Sequence, residues 1–292
     1  VIIPNITFVA TANAVLHTDA TPVLVDVNND DINISIKSIE ESITKKTKAI
    51  IPVHFAGKSC DMFSIQKLAK KYHLEIIEDC AHAIGTKLNN KHAGTFGSIG
   101  CFSFYPTKNL GCYGDGGAIF TNNDKLAHLI RGIANHGMYK RYYHDVVGVN
   151  SRLDSIQAVV LNEKLKLLDT YNEKRRKSAD TYTSFFKNNP KIITPKVVGD
   201  RNSHVFHQYT LRIINSDRDA LSEYLTSNKI PFGIYYPVPL HLQKAYADKR
   251  FKEENFGITN QLINEVISLP MHSELTLEQI DYISDKINKF LT

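Results

Sequence analysis

Short apolar runs alternate with amphipathic stretches along the first 120 residues. Val23-Leu24-Val25-Asp26-Val27, Ala49-Ile50-Ile51-Pro52-Val53 and Leu74-Glu75-Ile76-Ile77-Glu78 read as strands, each short and rich in side chains that suit a pleated surface. Between them, Ile36 to Ile43 reads as a short helix. Met62 to Tyr72 carries apolar residues at helical spacing, with Asp61 placed to cap it. Gly100-Cys101-Phe102-Ser103-Phe104 and Gly117-Ala118-Ile119-Phe120 read as two further buried strands. Strands that alternate with helices predict an α/β fold, a mainly parallel sheet flanked by helices on both faces.

From Asp154 the pattern changes. Ile156, Val159, Val160, Leu165 and Leu168 form one apolar stripe, predicting a long helix capped by Asp154. Beyond it come a strand from Gln208 to Ile213, a helix from Arg218 to Ser227 and a last helix from Leu277 to Phe290. The expected organisation is a large domain over 1–153, a linking helix over 154–186 and a smaller α+β domain over 187–292. No internal repeat or low-complexity tract interrupts it.

Composition narrows the function classes. The chain has 292 residues, 42% hydrophobic and 22% charged, as a globular protein with a sizeable core would have. No apolar run reaches the roughly 18 residues that a membrane helix needs. The opening Val1-Ile2-Ile3-Pro4-Asn5 has no basic leader and no cleavage signal. It reads as the end of a buried strand, so further sequence is expected before it. Cys60, Cys80, Cys101 and Cys112 lack C-x-x-C spacing, which leaves zinc and thioredoxin-like chemistry without support. Cys80 and Cys101 sit in apolar runs and read as buried thiols of a reducing cytoplasm, where the sequons at Asn5 and Asn33 carry no weight. The net charge of +5 is spread out except at Lys174-Arg175-Arg176-Lys177, which reads as a solvated helix face rather than a nucleic-acid site. A mildly positive field suits phosphorylated ligands.

Three features carry candidate chemistry. Asp79 directly follows the Ile76-Ile77 strand, at the carboxyl end where open α/β sheets bind ligands. A simple helix cap is an equal alternative for that residue alone. Lys108 leaves a buried strand within Phe104-Tyr105-Pro106-Thr107-Lys108-Asn109-Leu110-Gly111. Burial would depress its pKa and free its amine for Schiff-base chemistry, although a surface lysine is the commoner reading in isolation. Ser103, Thr107 and Asn109 surround it with groups that can hold a phosphate. The glycines at 111, 114, 116 and 117 do not form G-x-G-x-x-G, so a dinucleotide fingerprint is absent. The twelve histidines show no metal pattern: His204 and His207 are three apart but flank a predicted strand. His82, three residues after Asp79, could approach the same ligand.

Together these segments resemble the DegT/DnrJ/StrS family of sugar aminotransferases, from Pro4 to the C-terminus. The stretches that carry the resemblance are Pro4-Asn5-Ile6-Thr7-Phe8-Val9-Ala10-Thr11-Ala12, Lys48-Ala49-Ile50-Ile51-Pro52-Val53-His54, Glu78-Asp79-Cys80-Ala81-His82 and Ser103 to Gly111. They continue through Gly114-Asp115-Gly116-Gly117-Ala118, Gly148-Val149-Asn150-Ser151-Arg152-Leu153-Asp154, Tyr236-Pro237-Val238-Pro239-Leu240 and Ser268-Leu269-Pro270-Met271. The resemblance implies the aspartate aminotransferase fold (fold type I) and pyridoxal 5'-phosphate as cofactor. It implies that Lys108 bonds the cofactor and shuttles a proton, and that Asp79 keeps the pyridine nitrogen protonated. His82 would face the ring oxygen, Ser103 the phosphate, and Phe8 would lie over the pyridine. Asn150 would reach the phosphate of a partner subunit, making the active unit a homodimer.

Two departures stand out. Relatives carry a segment before Pro4 with a Gly-Thr pair that grips the phosphate. Many also have His-Tyr-Pro where this chain has Tyr235-Tyr236-Pro237. Arg152, Tyr235 and Tyr236 are the candidate substrate contacts. The implied reaction moves an amino group from L-glutamate to a nucleotide-linked keto sugar, for surface-glycan biosynthesis. Asn150-Ser151-Arg152-Leu153-Asp154 looks more like members that act at carbon 3, on dTDP or UDP sugars, than members that act at carbon 4. A sugar dehydratase of the same family would have histidine in place of Lys108. A non-catalytic relative would not need Asp79, His82, Ser103, Lys108 and Asn150 all intact.

Overall fold

A computed structural model describes residues 1–197 and 199–292. The chain runs through β1 (Ile2–Pro4), α1 (Val9–Leu16), β2 (Val23–Val25), α2 (Ile36–Ser42), β3 (Ala49–Ile50), α3 (Met62–Tyr72) and β4 (Glu75–Asp79). A small hairpin of β5 (Lys87–Leu88) and β6 (Lys91–His92) precedes β7 (Ile99–Ser103) and β8 (Gly117–Phe120). Then come α4 (Asp124–Ala134), the hairpin β9 (Met138–Lys140) and β10 (Tyr143–His144), α5 (Ser155–Leu165) and α6 (Leu168–Phe186). The rest holds β11 (Ile192–Ile193), β12 (Tyr209–Ile213), α7 (Arg218–Ser227), α8 (Gly257–Glu265), β13 (Val266–Leu269) and α9 (Leu277–Leu291).

Six strands form the main sheet in the order β2-β1-β3-β4-β7-β8. All neighbours are parallel except β8, which runs antiparallel to β7. The sheet therefore has the α/β form that the alternation of elements predicts. A second, antiparallel sheet joins β11, β12 and β13. Ile2, Ile50 and Ile76 pack against Met62, Ile65 and Leu68 of α3 on one face of the main sheet. Ile3, Ile51 and Ile77 meet Ala12 and Val15 of α1 on the other. Strand alternation thus gives each apolar pair one side chain for each face.

Local chemistry sets several helix starts. Asp61 accepts a hydrogen bond from Ser64 N at 3.1 Å and starts α3. Asp154 accepts from Gln157 N at 2.8 Å and starts α5. Asp26 acts at long range, its carboxylate accepting from Ile258 N, Thr259 N and Thr259 Oγ1 at 2.7–3.0 Å. A carboxylate at the N-terminus of α8 also meets that helix's positive end.

Four expectations need correction. β8 is not buried: all four of its residues are exposed, because it is the last strand of the sheet. The long helix is two helices, α5 and α6, broken at Lys166-Leu167. Its stripe does not face one core, since Ile156, Val159 and Leu165 are exposed while Leu168 is buried. The basic run is not a solvated face. Arg175 and Arg176 point inward and only Lys174 and Lys177 stay out, as helical periodicity around a buried helix requires. Finally, Cys101 is only partly buried, while Cys60, Cys80 and Cys112 are buried, and all four thiols are free. Asn5 and Asn33 lie in the core.

Glu78 places a carboxylate in that core. Its carboxylate has no exposure and accepts from Gly94 N, Phe96 N and Gly97 N at 2.6–2.8 Å and from His54 Nε2 at 3.1 Å. Burial alone would raise its pKa, but the His54 bond and the backbone donors outweigh it and hold the carboxyl below its ordinary range. A group depressed in this way contributes stability above its unfolded pKa and loses it as pH falls through the folded value. Glu78→Ala is expected to destabilise the fold by about 3–5 kcal/mol at pH 7, read from denaturant midpoints. The deficit should shrink below roughly pH 4, where the wild type also loses the charge. A deficit that stays constant with pH contradicts the argument.

Candidate active site

β4 ends at Asp79, at the carboxyl edge of the parallel strands. Asp79 Oδ2 accepts from Thr11 Oγ1 at 2.8 Å, and Oδ1 accepts from Ala81 N at 3.1 Å. Thr11 Oγ1 also lies 2.9 Å from Thr7 Oγ1. Thr11, Asp79 and Ser103 line one open cavity of about 270 Å³, together with Ala10, Ala81 and Phe102. Ser103 Oγ accepts from Tyr105 N at 3.3 Å and is only half-buried.

Lys108 follows β7 in a turn whose N–H bonds Tyr105 O at 2.8 Å. The side chain is half-buried. Burial lowers its pKa, and the nearby charge of Asp79 partly opposes that. A lysine in that state holds more free amine at neutral pH than a surface lysine does.

Two histidines face this lysine. His82 has a buried Nδ1 with no hydrogen-bond partner. Burial, helped by the charge of Lys108, pushes its pKa down to about 3. His207 packs on it with ring centroids 4.4 Å apart, and burial depresses His207 as well. His204 does not join them: it stacks on Phe206 at 3.8 Å and accepts from Phe206 N. Both residues precede β12 rather than flank it.

The aromatic residues form the open side. Phe8 is 59% exposed and its ring centre lies 6.3 Å from that of Tyr236. Burial, then the charge of Asp79, raises the Tyr236 pKa. Tyr235 packs edge-on to Tyr236 at 5.8 Å. Asn150 and Arg152 lie elsewhere. Both are exposed, and Arg152 Nε donates to Asn150 Oδ1 at 2.9 Å. Among the described residues, no hydrogen bond within this chain ties them to Asp79, His82, Ser103 or Lys108.

His54, Glu78 and Cys80 bring three ligand-type atoms within 4.8 Å of one another. Their atoms are already spent. His54 Nδ1 accepts from Cys60 N at 3.1 Å, its Nε2 donates to Glu78, and burial raises the Cys80 thiol well above its ordinary pKa.

Residues 1–288 match the DegT/DnrJ/EryC1/StrS aminotransferase family. The chain belongs to that family. It is 46% identical to a pleiotropic regulatory protein of Geobacillus stearothermophilus, over 99% of this chain and 78% of that one. It is 44% identical to the UDP-N-acetyl-3-dehydro-alpha-D-glucosamine 3-aminotransferase of Acidithiobacillus ferrooxidans, over 100% of this chain and 77% of that one. A solved structure of DesV from S. venezuelae superposes with a TM-score of 0.94 at 36% identity, covering 99% of this chain and 78% of that one. This aminotransferase thus shares the α/β architecture of its family.

Sequence reasoning overlooked two residues of the constellation. Thr11 lies in the segment from Pro4 to Ala12, and its pairing with Asp79 depends on α1 packing beside β4. His207 was weighed only as a metal ligand. The depressed pKa of Lys108 predicts its labelling behaviour. Acylation of Lys108, followed against pH by peptide mass mapping, should have its midpoint below the roughly 10.4 of an exposed lysine. A midpoint at or above that value would contradict its burial.

Proposed function

We propose that this aminotransferase uses pyridoxal 5'-phosphate to move an amino group from L-glutamate to a 3-keto sugar carried on UDP or dTDP. One observation carries the reading: a half-buried lysine of depressed pKa faces Asp79, in a chain 44% identical to a UDP-sugar 3-aminotransferase. The residues fit the cofactor. Asp79 keeps a bonded carboxylate beside the cavity, and Ser103 opens onto the same space.

In this reading Asp79 holds a proton at the ring nitrogen, with Thr11 fixing the carboxylate. Ser103 would hold the phosphate, Phe8 would cover the ring and His82 would meet its oxygen. When bound, the cofactor supplies an electron sink for the carbanion left when a substrate proton departs. Lys108 Nζ, whose hold on its proton burial weakens, moves that proton to and from the substrate carbon. Arg152, Tyr235 and Tyr236 contact the substrate. The site lies between a large domain over 1–153 and a small one over 187–292, joined through 154–186. The product serves surface-glycan synthesis, made in the cytoplasm where four free thiols stay reduced.

The active unit in this proposal is a homodimer that lends Asn150 across the interface. Supporting this, Val147 is 98% exposed, Ile156 75%, Val159 63% and Ile119 54%. Val147 lies on a loop that Val149 N joins to Ile133 O of α4, while Ile156 and Val159 lie on α5, whose Gln157 Oε1 accepts from Tyr113 N. A run of exposed apolar side chains flanking Asn150 in the chain suits a contact surface.

Adding pyridoxal phosphate to the purified protein should produce a visible absorption band that glutamate bleaches, and Lys108→Ala should lose it. Amine transfer should then appear with 3-keto and not 4-keto nucleotide sugars. Equal spectra for wild type and Lys108→Ala, with no transfer, would leave a non-catalytic relative. Val159→Asp should convert a dimer into a monomer by light scattering, with activity falling at least about tenfold as the shared site is lost. A wild type that runs as an active monomer removes the dimer from the proposal.

A further inference from the structure

His207 has no role in the reaction as proposed, yet it sits at the centre of a closed polar clamp. Its Nδ1 lies 3.2 Å from Asn109 Oδ1. Asn109 Nδ2 donates to Val205 O at 3.1 Å and to Asn172 Oδ1 at 2.8 Å. A backbone carbonyl can only accept, so the Asn109 nitrogen must face Val205 and its oxygen must face His207. His207 therefore carries its proton on Nδ1. Asn172 completes the ring by donating from Nδ2 to Ile84 O at 3.2 Å, in the turn that bears His82. Gly85 allows this approach: a side chain there would stand 2.4 Å from Asn172 Nδ2, and its φ is +85°. Arg175, one turn along α6 from Asn172, holds the His207 backbone by donating to His207 O at 3.3 Å.

The other histidine has its proton on the opposite side. His82 Nδ1 is buried without a partner. Burying a bare acceptor costs less than burying an unpaired N–H, since an orphaned donor is the rarer case in folded proteins. His82 thus keeps its hydrogen on Nε2, toward the open side. Neither ring donates to the other, and His207 acts on His82 through their tilted ring contact, with centroids 4.4 Å apart. The groups facing His207 are His82 after β4, Lys108 after β7, Arg175 on α6, and Tyr235 across a cavity of about 260 Å³. The charged ones are cations, so His207 stays neutral.

We propose that His207 is a positioning residue, held by Asn109, that seats the His82 ring so that His82 Nε2–H is presented to the ligand bound at Lys108. The clamp also sets the distance between the two loops, because Asn109 is the residue after Lys108. This inference rests on the cofactor reading above, in which His82 meets the ring oxygen. A well-placed donor stabilises the anionic oxygen, so losing it lets the bound chromophore keep its proton to higher pH.

The test uses pyridoxal-phosphate-loaded protein and the pH midpoint of its visible band. His207→Ala should keep the band but raise the midpoint by about half a unit or more. Its kcat should fall roughly tenfold to a hundredfold, with KM for glutamate within about threefold. His207→Phe keeps a ring against His82 but loses the bond to Asn109, so it should return the midpoint only part of the way; if the Ala variant fails to fold, a wild-type midpoint in His207→Phe overturns the proposal. In a His82→Ala background, His207→Ala should add no further shift, which a general loosening of the fold would not produce. Wild-type midpoint and kcat in both His207 variants, or shifts that simply add in the double variant, overturn the proposal. If wild type itself shows no band, the cofactor reading fails and takes this inference with it. A normal wild-type band with unaffected His207 variants sinks this inference alone.

Discussion

Successive side chains of a strand leave on opposite faces of its sheet, and at the end of β4 that rule separates two neighbouring carboxylates. Glu78 turns into the α3 side, where His54 and three backbone donors consume its charge. Asp79 turns to the α1 side, where Thr11 steadies it beside an open cavity. One residue of register would exchange these fates, burying the functional carboxylate and exposing the structural one. The fold spends its best-satisfied buried anion on holding β4 in place, and Asp79 depends on that placement.

Around Asp79 the charges are arranged by burial. Desolvation weakens the hold of Lys108 on its proton, and the charge of Asp79 partly opposes this. His82 and His207 are both kept neutral, because burial and the lysine act in the same direction on each. The constellation therefore contains one carboxylate, one amine that releases its proton readily, and two uncharged rings with fixed tautomers. Such a set can hold a proton at one position and move it at another without competing bases.

Much of this was legible in the chain. The bounds of α3 and α7 follow from local signals: Asp61 caps α3 with its side chain and Asp217 caps α7 by accepting from Asp219 N and Ala220 N. The place of Asp79 at a strand end, and of Lys108 just after another, also follows from local pattern. What local pattern misread was environment. Val159 and Arg175 lie on helical faces that periodicity describes correctly, but the apolar side chain is exposed and the charged one is buried. Periodicity reports that a helix has two faces; what each face meets depends on the elements packed against it.

The sequence by itself determined the α/β alternation, the capped helices and the ordered motifs that mark an aminotransferase. These depend on backbone preferences within a few residues or on side-chain identity, both of which are written locally. Tertiary structure alone decided the break between α5 and α6, the contact of Thr11 with Asp79, and the seating of His82 on His207. Each of these joins segments distant along the chain. Their geometry is set by how helices and strands pack once they have formed, which no local window of residues specifies.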